Sequence, residues 1–314
     1  MGMTMSWRSL RNLALVAITG SGLLAVSARA ETAMDLCQNL TVPLQTRYDA
    51  CAKVIQDSAS DAQMVSKAYE QRGNAVMLTG QIDVAVKEYE RSIKANPKNP
   101  DVYLQRASAY YIQHKFKEAI SDLDQLIGLD AKNIPAHSIR GAIYALIGQN
   151  DRAQDDFDFL VKAYPDNVVV LNNRGNFFTG RQQFERAVAD FDHALHLDPK
   201  NPATLNNRCW ARLRWGREMR MAEEDCDAAL RLAPNYLPAT KNHGLLMFRF
   251  GAFDEAVADY ARVLAKNPKD PDALFGRGTS LIKLGKQAAG DADIAAARAI
   301  DHDIDKHAAE YGLQ

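Results

Sequence analysis

The sequence predicts an all-α solenoid of about seven helix–turn–helix units, and three columns of residues predict it. A small residue recurs every 34 positions, at Gly73, Ala107, Gly141, Gly175 and Cys209, then at Gly244 and Gly278 after a one-residue slip. Twelve residues on come Ala85, Ala119, Ala153 and Ala187, then Ala222 (displaced by the slip), Ala256 and Gly290. Four further on stand Tyr89, Leu123, Phe157, Phe191, Cys226, Tyr260 and Ile294. A fixed period of this length marks stacked repeats, each a unit that needs its neighbour to bury an apolar face.

Taken in order, residues 1–30 do not belong to the fold. Arg8 and Arg11 precede a mostly apolar run over 13–26, and Ala28-Arg29-Ala30 fits the small-residue rule for signal peptidase. The run is shorter than the roughly 20 residues of a membrane span, so a secretory signal cleaved after Ala30 is expected. Residues 31–65 then read as a degenerate cap with a helix over 47–56 and Cys37 on its partner helix. Full units are expected at 66–99, 100–133, 134–167, 168–201, 202–236, 237–270 and 271–304, with a C-terminal cap over 305–314.

The columns have a common physical cause. Helix A carries the small anchor because helix B crosses it there with no room for a large side chain. Seven residues after an anchor, Gly80, Gly148, Gly216, Gly251 and Gly285 suit a left-handed C-cap. Pro97, Pro165, Pro199, Pro234 and Pro268 are expected to end helix B or to start the next helix A, where a missing N–H costs nothing. The fifth unit departs from the pattern. There Arg212 replaces an aromatic or aliphatic residue, one extra residue lies within 217–221, and Trp210 and Trp215 flank the change.

The four cysteines, Cys37, Cys51, Cys209 and Cys226, all follow the cleavage site. An even number in an exported chain points to disulfides. Cys209 is an anchor of helix A and Cys226 the large-residue position of helix B, positions that face each other in one unit. Cys51 takes the same helix-B position in the degenerate cap, with Cys37 fourteen residues earlier. The expected pairs are Cys37–Cys51 and Cys209–Cys226, each worth about 3 kcal/mol on the chain-entropy account. Buried free thiols are the alternative.

The period and the small–small–aromatic–proline order are those of the tetratricopeptide repeat. The stretch NNRCWARLRWGREMRMAEEDCDAALRLAP at 206–234 resembles the cysteine-bearing repeat of exported tetratricopeptide proteins of alphaproteobacteria. GDADIAAARAIDHDI and the helix closing on Tyr311-Gly312-Leu313 are similar to their C-terminal cap. The resemblance implies a right-handed superhelical solenoid in the bacterial periplasm, and it brings no catalytic residues.

The composition gives no nucleic-acid footprint. The chain has 38 basic and 39 acidic residues, and loss of Arg8, Arg11 and Arg29 with the leader leaves it slightly acidic. No phosphate-cradling loop, serine elbow or zinc-protease helix is present. Asp151, Asp155, Asp156 and Asp158 cluster, but on a helix they spread around its faces, and His193, His196, His302 and His307 lack a third ligand. The expectation is no enzyme, no cofactor, no metal, no nucleic acid and no membrane span after cleavage.

Two charged columns remain. Arg72, Arg106, Arg140, Arg174, Arg208, His243 and Arg277 precede the anchors, while Glu88, Asp122, Asp156, Asp190, Asp225, Asp259 and Asp293 precede the large helix-B residues. Matched columns of opposite sign predict structural ion pairs within or between units.

Binding is expected on the concave face lined by helix A. By family geometry its exposed positions are Asn172, Asn173 and Asn176 in unit four, and Asn206, Asn207, Trp210 and Arg214 in unit five. Lys241, Asn242, Phe248 and Arg249 follow in unit six. Asn173, Asn207 and Asn242 form one column whose amides can hold a peptide backbone. Trp210 and Phe248 would add apolar anchors, and the cations a carboxylate contact. The reading is a non-catalytic protein-binding scaffold that takes an extended partner segment in units four to six. A self-associating envelope subunit and a binder of small cell-wall fragments are the alternatives.

Overall fold

The computed structural model describes residues 32–313. The leader, its cleavage after Ala30, and Gln314 lie outside the described residues. Among these there are seventeen helices and no strand. The N-terminal cap has two helices, α1 (Ala33–Gln38), which carries Cys37, and α2 (Leu44–Asp57), which spans the helix expected over 47–56. Six helix pairs follow: α3 (Ala62–Met77) with α4 (Ile82–Ala95), α5 (Pro100–Ile112) with α6 (Phe116–Leu129), α7 (Ile134–Leu146) with α8 (Asn150–Ala163), α9 (Val168–Gly180) with α10 (Phe184–Leu197), α11 (Pro202–Trp215) with α12 (Met219–Leu232), and α13 (Leu237–Phe250) with α14 (Phe253–Lys266). A seventh pair, α15 (Pro271–Lys283) with α16 (Gln287–Ile300), is closed by α17 (Ile304–Glu310). The chain forms two compact units, divided after Asp156 within α8.

Local chemistry sets the helix ends. Asn133, Asn167, Asn201 and Asp270 are N-caps whose side chains accept from first-turn N–H groups. Two sets of prolines divide the work that the sequence assigned to one. Pro97, Pro199 and Pro268 directly follow the C-cap residues Asn96, Asp198 and Asn267, so they stop helix B. Pro100, Pro202, Pro238 and Pro271 occupy the first turn of the next helix A. The turn glycines Gly80, Gly148, Gly216, Gly251 and Gly285 have φ of 71–79°, and His114 and Gln182 hold the same left-handed position in repeats two and four.

In the first unit the core joins Tyr89, Leu123, Leu126 and Ile143, all nearly inaccessible. A smaller cluster under the N-terminal cap holds Ala50, Val54 and Ala68 around the Cys37–Cys51 disulfide. In the second unit Leu213, Leu246, Tyr260 and Ile304 surround the Cys209–Cys226 disulfide. That bond ties α11 to α12 where the other repeats pack a small residue against a large one.

Candidate protein-binding face

The charged columns decide which cations remain for a partner. Arg106, Arg140, Arg174, Arg208 and Arg277 each hold the acid of their own repeat through two bonds of 2.5–2.9 Å. His243 Nδ1 meets Asp259 at 2.5 Å. Three of the arginines also reach back one repeat: Arg140 to Asp124, Arg174 to Asp158 and Arg208 to Asp192. Burial opposes the charge on Arg140 and Arg208, yet the bonded carboxylates outweigh it and hold both guanidiniums above their usual range. These columns therefore staple helix A to helix B and to the preceding repeat. The second acidic column, two residues after the first, was visible in the sequence and went unused there.

Arg212 has a specific place in this scheme. It bonds Asp225 at 2.5 Å beside Arg208, and its Nε donates to Glu218 at 3.0 Å. Glu218 sits in the lengthened turn at φ 55°. The extra residue thus brings a carboxylate to the arginine that replaced an aromatic.

The asparagines bridge successive A helices. The Asn172 amide donates to Val168 O at 2.9 Å and to Thr204 Oγ1 at 2.7 Å. Asn207 donates to Asn172 Oδ1 at 3.3 Å, and Asn242 to Asn206 Oδ1 at 2.8 Å. Asn173 and Asn176 are half-buried on α9. Two of the residues expected to be exposed are not. Asn206 is 5% exposed, drawn inward as the acceptor of Asn242, and Phe248 is 7% exposed with its ring edge-on to Phe253. Lys241 is also committed, to Asp272 at 2.8 Å and Asp270 at 3.4 Å. Burial works against its charge, and the two carboxylates more than restore it, raising its pKa.

Trp210, Arg214 and Arg249 are left together. All three are half-buried. The Arg214 guanidinium lies 5.5 Å from the Trp210 ring centroid, and Arg249 donates to the Leu213 carbonyl. Neither arginine has a carboxylate partner among the described residues. Burial, and then the charge of Arg214, hold the Arg249 guanidinium below its usual range. A residue that sequence reasoning did not place here is Tyr311, whose ring packs on Trp210. Its distance along the chain from repeat five left no periodic signal.

Repeat models match the chain over most of the same span. A TPR repeat model matches residues 73–113, and tetratricopeptide repeat models match 100–133, 147–202 and 242–309, together more than half of the chain. No curated protein matches the sequence. Among solved structures, a tetratricopeptide repeat protein from Parabacteroides merdae ATCC 43184 is 18% identical, over 79% of this chain and 98% of its own, with TM-score 0.64. PilW, described as a widely conserved type IV pilus biogenesis factor, is 24% identical over 64% of this chain and 92% of its own, with TM-score 0.57. Pseudomonas aeruginosa PilF is 19% identical over 68% and 95%, with TM-score 0.53. At these identities the likeness is one of fold.

Proposed function

This chain belongs to the tetratricopeptide repeat family, and we propose that it is a non-catalytic scaffold that holds an extended segment of another protein on the helix-A face of repeats four to six. The observation that carries this reading is the Trp210, Arg214 and Arg249 patch. An aromatic ring and two guanidiniums lie half-buried together without a carboxylate among the described residues, whereas the anchor-column arginines are all bound to one. Aromatic residues and arginines are the side chains that dominate binding energy in protein interfaces.

The site of action in this reading is the bacterial periplasm. The leader pattern supports it, as do two disulfides, which persist in oxidising compartments. The test is photo-cross-linking in the cell envelope from position 176, with an R214E/R249E variant alongside. A partner captured by the unaltered chain and lost by a variant of equal helicity supports the reading. Equal capture by both moves the site elsewhere, and capture only of a second copy replaces the scaffold by self-association.

A further inference from the structure

Three residues beyond α17 lie on the patch just described. The Tyr311 ring meets Trp210 edge-on, with centroids 5.2 Å apart and planes at 71°. The Arg214 guanidinium is 5.3 Å from the Tyr311 ring centroid, so it touches both aromatics. Gly312 has φ +75°, and a Cβ there would come 3.0 Å from an Arg249 Nη. Glycine lets the chain pass over that guanidinium. Leu313 is 6% exposed in the core cluster that contains Leu213 and Phe248. The segment therefore reaches back from the end of α17, after repeat seven, to α11 in repeat five. A helix that only shielded the last repeat would have no need to do so.

The attachment is by side chains. The backbone N–H groups of Tyr311, Gly312 and Leu313 all bond to carbonyls of α17, at His307, Ala308 and Ala309. None is directed at α11 or α13. The segment supplies a ring for Trp210 and an aliphatic side chain for the core, and Arg214 and Arg249 have no carboxylate partner among the described residues.

We propose that Tyr311, Gly312 and Leu313 are a resident occupant of the groove, and that a partner displaces them with a segment carrying an aromatic residue beside a carboxylate. The proposal rests on the protein-binding reading above and specifies how its site is filled. An incoming aromatic ring replaces what Tyr311 gives Trp210. Its neighbouring carboxylate adds charge-assisted bonds to two arginines that have no carboxylate partner among the described residues. The groove therefore favours the incomer by bonds that Tyr311, Gly312 and Leu313 do not make, and its apparent affinity is lowered by the fraction of chains in which the resident is seated.

The probe is a fluorescent Glu-Tyr-Gly-Leu-Glu peptide, with Gln-Tyr-Gly-Leu-Gln as its neutral counterpart. Tyr311→Ala is expected to bind the acidic peptide at least five-fold more tightly than the unaltered chain, and the neutral peptide is expected to bind at least ten-fold more weakly than the acidic one. Trp210→Ala is expected to lose both. In the unaltered chain, saturating acidic peptide should speed hydrogen exchange of the Gly312 and Leu313 amides at least ten-fold, a readout that needs no variant. Binding that Trp210→Ala abolishes, with no gain in Tyr311→Ala and no change in exchange, overturns the resident occupant and leaves the groove intact. Absence of binding by every folded form overturns both.

Discussion

Gly175 and Phe191 share one space: a Cβ on Gly175 would lie 2.6 Å from Cε1 of the Phe191 ring. The same relation holds for Gly73 with Tyr89. In repeat two the large residue is the smaller Leu123, and the anchor becomes Ala107, with both fully buried. Anchor and partner thus trade volume. Gly175→Ala should destabilise the second unit by up to about 2 kcal/mol, since overpacking costs about 1–3 and the helical gain of alanine over glycine returns about 1. Adding Phe191→Leu recreates the pair of repeat two and should recover most of the loss. Urea denaturation of the four forms measures the coupling, and strict additivity would sink the idea.

That trade explains what the sequence showed well. Anchors, alanines, turn glycines and matched charge columns are set by neighbours within one repeat or the next, so a 34-residue period carries them. The candidate face was legible only in part. Asn206 and Phe248 were placed by average repeat geometry, and each is drawn inward by a specific partner, Asn242 and Phe253. Tyr311 reached the face by a contact about a hundred positions away along the chain, which no periodicity encodes. The commitment of Lys241 to Asp270 and Asp272 depends on the start of the following repeat. Residues whose role is set outside the repeat are the ones that sequence reading misplaced.

His243 stands where other repeats place arginine, between Asp259 at 2.5 Å and Asp227 at 3.3 Å, with Arg262 also on Asp259. Its hydrogen bond to Asp259 is the main reason that its pKa is raised above the ordinary histidine value, against opposition from burial. A raised folded-state pKa contributes stability that is fully present below the unfolded value, about pH 6.5, and is lost as pH rises through the folded one. His243→Arg keeps the charge and should match the unaltered chain at pH 5.5. Above the folded pKa it should exceed it by about 1.5–3 kcal/mol, the scale of a hydrogen bond to a charged group. Melting temperatures from pH 5 to 9 check this, and parallel curves would refute it.

Asp225 and Asp293 occupy the same column under different loads. The Asp225 side chain is 4% exposed and holds both Arg208 and Arg212, while that of Asp293 is 14% exposed and holds Arg277 alone. Removing the acid strands two cations in the first case and one better-solvated cation in the second. Asp225→Ala should cost about 3–5 kcal/mol, as breaking a buried ion pair does, and Asp293→Ala about 1–2. Adding Arg212→Leu should return part of the Asp225→Ala loss. Equal losses at the two positions would show that the second arginine adds nothing.

The Cys209–Cys226 bond stands in for the small–large pair that other repeats use at these two positions. Its sequence separation of 17 makes the cross-link worth about 3 kcal/mol on the chain-entropy account. Cys209→Ala with Cys226→Leu rebuilds the Ala107 and Leu123 arrangement, so it should lose the cross-link alone. Cys209→Ser with Cys226→Ser should lose about 1–3 kcal/mol more, because it buries two hydroxyls in an apolar core. Denaturation with and without reductant separates the contributions, the Cys37–Cys51 bond accounting for whatever sensitivity the double variants retain. An alanine–leucine form as stable as the oxidised chain would mean that packing alone holds α11 to α12.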